Sequence, residues 1–124
     1  MAKFRYLNVE PSGKHKNDCV TRAIKLASNL PYKEIRKKLF HTKELLDCES
    51  SYCVTCYSFL IREVLGGVPT NCNGMTVGEF ADKNPKGTYL IRLEGHLTTV
   101  IYGENWDIFN CLNHYCDLAW KMHN

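Results

Sequence analysis

The apolar positions change their spacing part-way along the chain. From Asp18 to Asn29, Val20, Ala23, Ile24 and Ala27 recur at helical intervals, with Asp18 placed as an N-cap. "LPYKEIRKKLF" restarts the pattern with Pro31 in the first turn, where a missing N–H costs nothing, and with Tyr32, Ile35 and Leu39 as the apolar stripe. "HTKELLDCES" has no clear pattern. "SSYCVTCYSFLIREVLGG" predicts a buried helix opened by Ser50 or Ser51 and closed by Gly66 and Gly67. "MTVGEFADKNPKG" predicts a short helix from Thr76, with Glu79 in the capping-box position.

Beyond this point the period becomes two. "GTYLIRL", "HLTTVIY" and "NWDIFNC" are short β-branched and aromatic runs, separated by turns at Glu94-Gly95 and Gly103-Glu104. "CDLAWKM" adds an edge strand. At the other end "KFRYLNV" alternates as a short first strand, and "EPSGKHKN" is a loop. Helices followed by a sheet argue for an α+β fold, with N-terminal helices packed on a C-terminal antiparallel sheet and a single domain over residues 1–124.

Composition narrows the function classes. The 124 residues are 44% hydrophobic and 23% charged, with a net charge of +3. That balance is too mild to point to nucleic acid, and "YKEIRKKLF", with Glu34 and Lys38 four apart, reads as a solvated helix face. No apolar run approaches the roughly 20 residues of a membrane helix, so no membrane partner is expected. The first residues lack the apolar core of a signal peptide. Seven cysteines without an export signal read as reduced thiols in a cytoplasm rather than a disulfide framework.

The candidate chemistry starts at Cys19, where a polar loop turns into the first helix. A helix N-terminus lowers a thiol pKa, and a neighbouring imidazole lowers it further. Cys53 and Cys56, inside an apolar helical pattern, lack this environment. Of the five histidines, His96 follows a glycine and heads a strand, on the rim of the sheet where it can serve as base. A third group should orient the ring. With Gly103 in the turn, Tyr102 pairs with Asn105 or Trp106, so Cys111 or Leu112 lies opposite His96 and Asn110 is next to it. Asp107, chemically the more attractive residue, then falls roughly 14–17 Å along the strand. Asn110 is the expected orienting residue and Asp107 the alternative.

"NDCVTRAI" opening a helix, followed by "GTYLIRLEGHLTTVIYGENWDIFNC", resembles the papain-like cysteine peptidase superfamily in its minimal form. It is especially similar to small peptidase-like proteins encoded by bacteriophages and prophages. The resemblance implies a papain-like fold and a thiol protease-type hydrolase that cleaves a peptide or isopeptide bond. Cys19 would be the nucleophile, His96 the base and Asn110 the orienting residue. It implies no cofactor or metal, a protein or peptide substrate and, for a phage-encoded chain, a site of action in the host cytoplasm. Many superfamily members carry a glutamine before the cysteine as an oxyanion donor. Here Asn17 supplies the amide, beside the Cys19 N–H.

Two other readings compete. One is a catalytically inactive binding protein on the same fold that acts on a host factor. The other is a small zinc-stabilised module built on Cys48, Cys53, Cys56 and Cys72, with Cys111, His114 and Cys116 as a weaker cluster.

Overall fold

A computed structural model describes residues 1–123. Its architecture is α+β, with four helices and a six-stranded mixed sheet. The elements run β1 (Lys3–Tyr6), α1 (Cys19–Ser28), α2 (Tyr32–Leu46), α3 (Val54–Phe59), β2 (Val68–Thr70), α4 (Val77–Lys83), β3 (Thr88–Leu93), β4 (His96–Ile101), β5 (Glu104–Asp107) and β6 (Leu118–Met122). Helix α3 continues into a π-helical turn over Leu60–Val64. The strand order is β1-β5-β4-β3-β6-β2.

Local signals set most of these elements. Thr76 caps α4: its Oγ1 accepts the Glu79 N–H at 3.2 Å, and Glu79 Oε1 accepts the Thr76 N–H at 3.0 Å. Helix α2 runs on through the patternless segment to Leu46 and ends at Asp47 in the left-handed region (φ 54°). Pro31 stands at its N-cap, not within the first turn. Helix α3 starts later than its serines suggest, at Val54, with Cys53 as N-cap.

The sheet departs from a wholly antiparallel one. Strand β1 joins its edge parallel to β5, with Tyr6 opposite Asp107. Strand β6 is not an edge: it lies between β3 and β2. The short β2 at the outer edge contains Pro69, which cannot donate to a ladder and therefore suits an edge.

Two apolar layers hold the sheet. On one face α1, α2 and α3 bury Ile24, Ile35, Leu39 and Ile61 against Leu90 and Leu97. On the other, Val77 and Phe80 of α4 pack against Tyr89, Ile91 and Val100. The alternation of β3 residues between these cores is the period-two signal in physical form. It leaves Arg92 on the Leu90 side.

Gly67 shows how tightly the first layer closes. A Cβ there would meet Ile61 Cγ2 at 2.6 Å, beside the 2.7 Å bond from the Gly67 N–H to the Ile61 carbonyl. Gly67→Ala should cost about 1–3 kcal/mol of stability through overpacking, read as a lower urea midpoint at unchanged slope.

Candidate active site

The β4–β5 hairpin determines which residue meets His96. Its turn is Tyr102–Gly103, both with positive φ (48° and 75°), and Ile101 pairs with Glu104. This is the backbone of a two-residue type I′ turn, for which glycine at the second position is favoured. The turn is therefore one residue earlier than Gly103-Glu104, and the register moves with it. Thr99 pairs with Trp106, so Asp107 comes level with Thr98, two positions from His96 and on the same side of the hairpin.

This corrects the expectation for Asn110. His96 Nε2 donates to Asp107 Oδ2 at 2.7 Å, and Thr98 Oγ1 donates to the same oxygen at 2.7 Å. Asn110 is exposed, and its side-chain oxygen accepts the Leu112 N–H at 2.9 Å.

The other carboxylate oxygen of Asp107 accepts the Ile108 N–H at 2.6 Å and Arg22 Nη1 at 3.0 Å. Arg22 Nε also donates to Asp18 Oδ1 at 2.7 Å, and the Tyr32 hydroxyl donates to Asp18 Oδ2 at 2.6 Å. Asp18 thus occupies the N-cap position without capping: its side chain turns to Arg22 and Tyr32. Asn105, fully buried, donates to Thr98 Oγ1 at 2.9 Å and to the Thr99 carbonyl at 3.1 Å, and accepts the Cys111 N–H at 3.0 Å. The Phe109 ring covers His96 at a centroid distance of 4.5 Å.

Cys19 is the first residue of α1, and its thiol lies within hydrogen-bond reach of the His96 ring and the Leu97 N–H. With Nε2 engaged by Asp107, Nδ1 is the ring nitrogen left for the thiol. Burial opposes Cys19 ionisation, but the His96 contact, the Leu97 N–H and the Arg22 charge outweigh it, and the pKa falls below the ordinary thiol value. For His96, burial opposes the charged ring, yet hydrogen bonding to Asp107, Cys111 and Cys19 raises its pKa to about 11. Burial likewise works against the Asp107 carboxylate, but the His96 and Thr98 bonds hold it down at about 2. Both shifts run in the direction of a thiolate–imidazolium pair.

Other cysteines move the opposite way. Burial raises Cys48 and Cys72, pushes Cys56 to about 11 and Cys116 to about 12. Cys53 is a second cysteine at a helix start, contrary to its expected place inside the helix, but its thiol neighbour is Cys48 rather than an imidazole.

Cys19, His96 and Asn17 line one cavity of about 340 Å³ with Tyr52, Tyr57 and Arg92. Asn17 is exposed at its rim, next to the N-terminal N–H groups of α1. Those groups and the Asn17 amide are the donors available to an oxyanion there.

Donor atoms of His96, Asp107 and Cys111 lie within 4.8 Å of one another, the closest grouping of metal-type ligands among the described residues. An ion there would have to break the His96–Asp107 bond and sit beside the Arg22 guanidinium, so these groups read better as a charge-assisted hydrogen-bond network. The cysteine-rich middle does not assemble as a four-ligand set. Cys48, Cys53 and Cys56 gather near α3, while Cys72 packs with Cys116 in the α4-side core.

No protein-family model, curated protein or solved structure matches this chain. No helix among the described residues is long and apolar enough to cross a membrane.

Sequence reasoning missed Arg22, Thr98, Asn105 and Phe109. Only Asp18 and Arg22 left a signal, an acid and a base four residues apart on α1.

Two outcomes follow. Asp107→Asn should drop the His96 pKa, read by NMR titration, by at least a unit, while Asn110→Ala leaves it in place. Arg22→Met should cost about 3–5 kcal/mol in urea unfolding, because it strands two buried carboxylates.

Proposed function

We propose that this chain is a cysteine hydrolase of the papain-like kind that cleaves a peptide or isopeptide bond through an acyl-enzyme. The observation that carries the reading is the Cys19 thiol at the start of α1, against a His96 ring held from behind by Asp107. The sequence resemblance to phage and prophage peptidase-like proteins supports it, as does the helix-then-sheet order. It favours a cytoplasmic setting and a protein or peptide substrate.

In this reading the Cys19 thiolate attacks the scissile carbonyl, and the oxyanion faces the N–H groups of α1 and the Asn17 amide. The His96 imidazolium gives its Nδ1 proton to the departing amine as the C–N bond breaks, leaving a thioester. Water then attacks the thioester, His96 takes a proton from it, and the collapse releases the acid and restores the ion pair. Asp107 keeps Nδ1 pointed at sulphur throughout by fixing Nε2–H.

A second reading has one observation in its favour. The residues just before Cys19 hold no glutamine of the kind many papain-like proteins carry there, and the Asn17 side chain that could replace it is shorter and sits exposed at the rim. A binding protein that has kept the site geometry but holds its partner without cleaving it would fit.

Mass-mapped alkylation by iodoacetamide checks the ion pair. Because the Cys19 pKa is lowered, its labelling midpoint should lie below the ordinary thiol value and below those of the raised thiols. His96→Ala should move the midpoint up toward the ordinary value near 8.5. Hydrolysis of a mixed peptide substrate should vanish in Cys19→Ala and fall about 10²–10⁴-fold in His96→Ala. Intact peptides that bind wild type and Cys19→Ala equally would decide for the second reading.

A further inference from the structure

The Cys19 cavity carries one charged side chain that the chemistry above does not use. Arg92 lies on β3, on the face shared with Leu90, and lines the cavity with Tyr57, Val54 and Val20. No carboxylate among the described residues lines this cavity. One guanidinium nitrogen, Nη1, is bonded to Asp117, and the Tyr57 hydroxyl is also in hydrogen-bond reach. Asp117 itself is half exposed and lines a different cavity, on the Arg62 side. The Asp117 N–H donates to the Arg92 carbonyl at 2.8 Å, which fixes both residues between β3 and the start of β6.

The charges within the cavity are therefore unequal. The Cys19 thiolate and the His96 imidazolium offset each other, while among the described residues Asp117, the acid paired with Arg92, approaches from outside. A guanidinium keeps donors to spare after one carboxylate contact, and its planar fork matches a second carboxylate. Low-dielectric walls of valine and tyrosine strengthen its field inside the cavity.

We propose that Arg92 is the specificity residue of this site, and that the substrate places a carboxylate against it next to the bond attacked by Cys19. The carboxylate is either an acidic side chain or a free chain terminus. This inference rests on the hydrolase reading and narrows its substrate to anionic peptides.

Two alkylating agents of similar size test the site without requiring turnover. Iodoacetate carries the carboxylate and iodoacetamide does not, so the ratio of their rates at Cys19 reads the anion preference, including a constant part from His96. Arg92→Gln should lower that ratio about five- to tenfold, and Arg92→Lys should retain most of it. Asp117→Asn, which removes the outside counter-charge, should raise it. Ratios equal across wild type, Arg92→Gln and Asp117→Asn, with matching circular dichroism, would overturn the proposal.

Peptide pairs then locate the carboxylate. Faster cleavage of glutamate than glutamine peptides assigns it to a side chain, and loss of cleavage on C-terminal amidation assigns it to the terminus. Cleavage indifferent to both changes would overturn the proposal. If no peptide is cleaved while the alkylation ratio still follows the charge on Arg92, the hydrolase reading fails and the anion site stands.

Discussion

The buried carboxylate of Asp107 is the constraint around which the site is built. It accepts from His96, Thr98, Arg22 and the Ile108 backbone, so one side chain joins β4, α1 and the exit from β5. A carboxylate taken out of water is costly unless its lone pairs are filled and its charge is balanced. Here both conditions hold: Arg22 neutralises it from one side and the imidazolium from the other. Asp18 and Tyr32 complete the balance around Arg22, and Thr98 is held in turn by Asn105. Satisfied networks of this sort favour one arrangement of the elements they touch, since a partial rearrangement would strand a polar group.

The same network explains why Asp18 gives up capping. A side-chain cap on α1 would occupy one of the helix's first N–H groups, the donors that stand nearest Cys19. With Asp18 turned toward Arg22 and Tyr32, its side chain occupies none of them. Placing the acid in the cap position while directing it elsewhere ties the start of α1 to α2 and, through Arg22, to the end of β5. The rim behind Cys19 is organised as well: Glu10 accepts the Ser12 N–H at 2.6 Å and pairs with Lys16 at 3.0 Å, which shapes the loop leading to Asn17.

What could be read from the sequence was what depends on near neighbours. The start of α1 at Cys19, the Thr76–Glu79 capping box and the three-strand meander follow from spacing and turn residues. The glycine pair after α3 does too. What failed depended on counting across a turn. Reading the turn as Gly103-Glu104 rather than Tyr102–Gly103 shifted the ladder enough to favour Asn110, because each residue moved in the turn moves the partner of every position beyond it. Tyr102 in a left-handed conformation gave no warning, as tyrosine is a poor turn residue and pairs well in strands. The parallel pairing of β1 with β5, the place of β6 inside the sheet and the reach of Arg22 to Asp107 join residues distant in sequence. None has a periodic signature.

The position of β6 has a consequence for how the molecule comes into being. The last strand lies between β3 and β2, so β2 has no neighbour in the sheet until the chain has been made as far as Met122. Cys19 leaves the ribosome well before His96 and the carboxylate of Asp107 behind it. A nascent chain therefore carries Cys19 without its neighbours, and the thiol meets its imidazole only after β4 and β5 have formed.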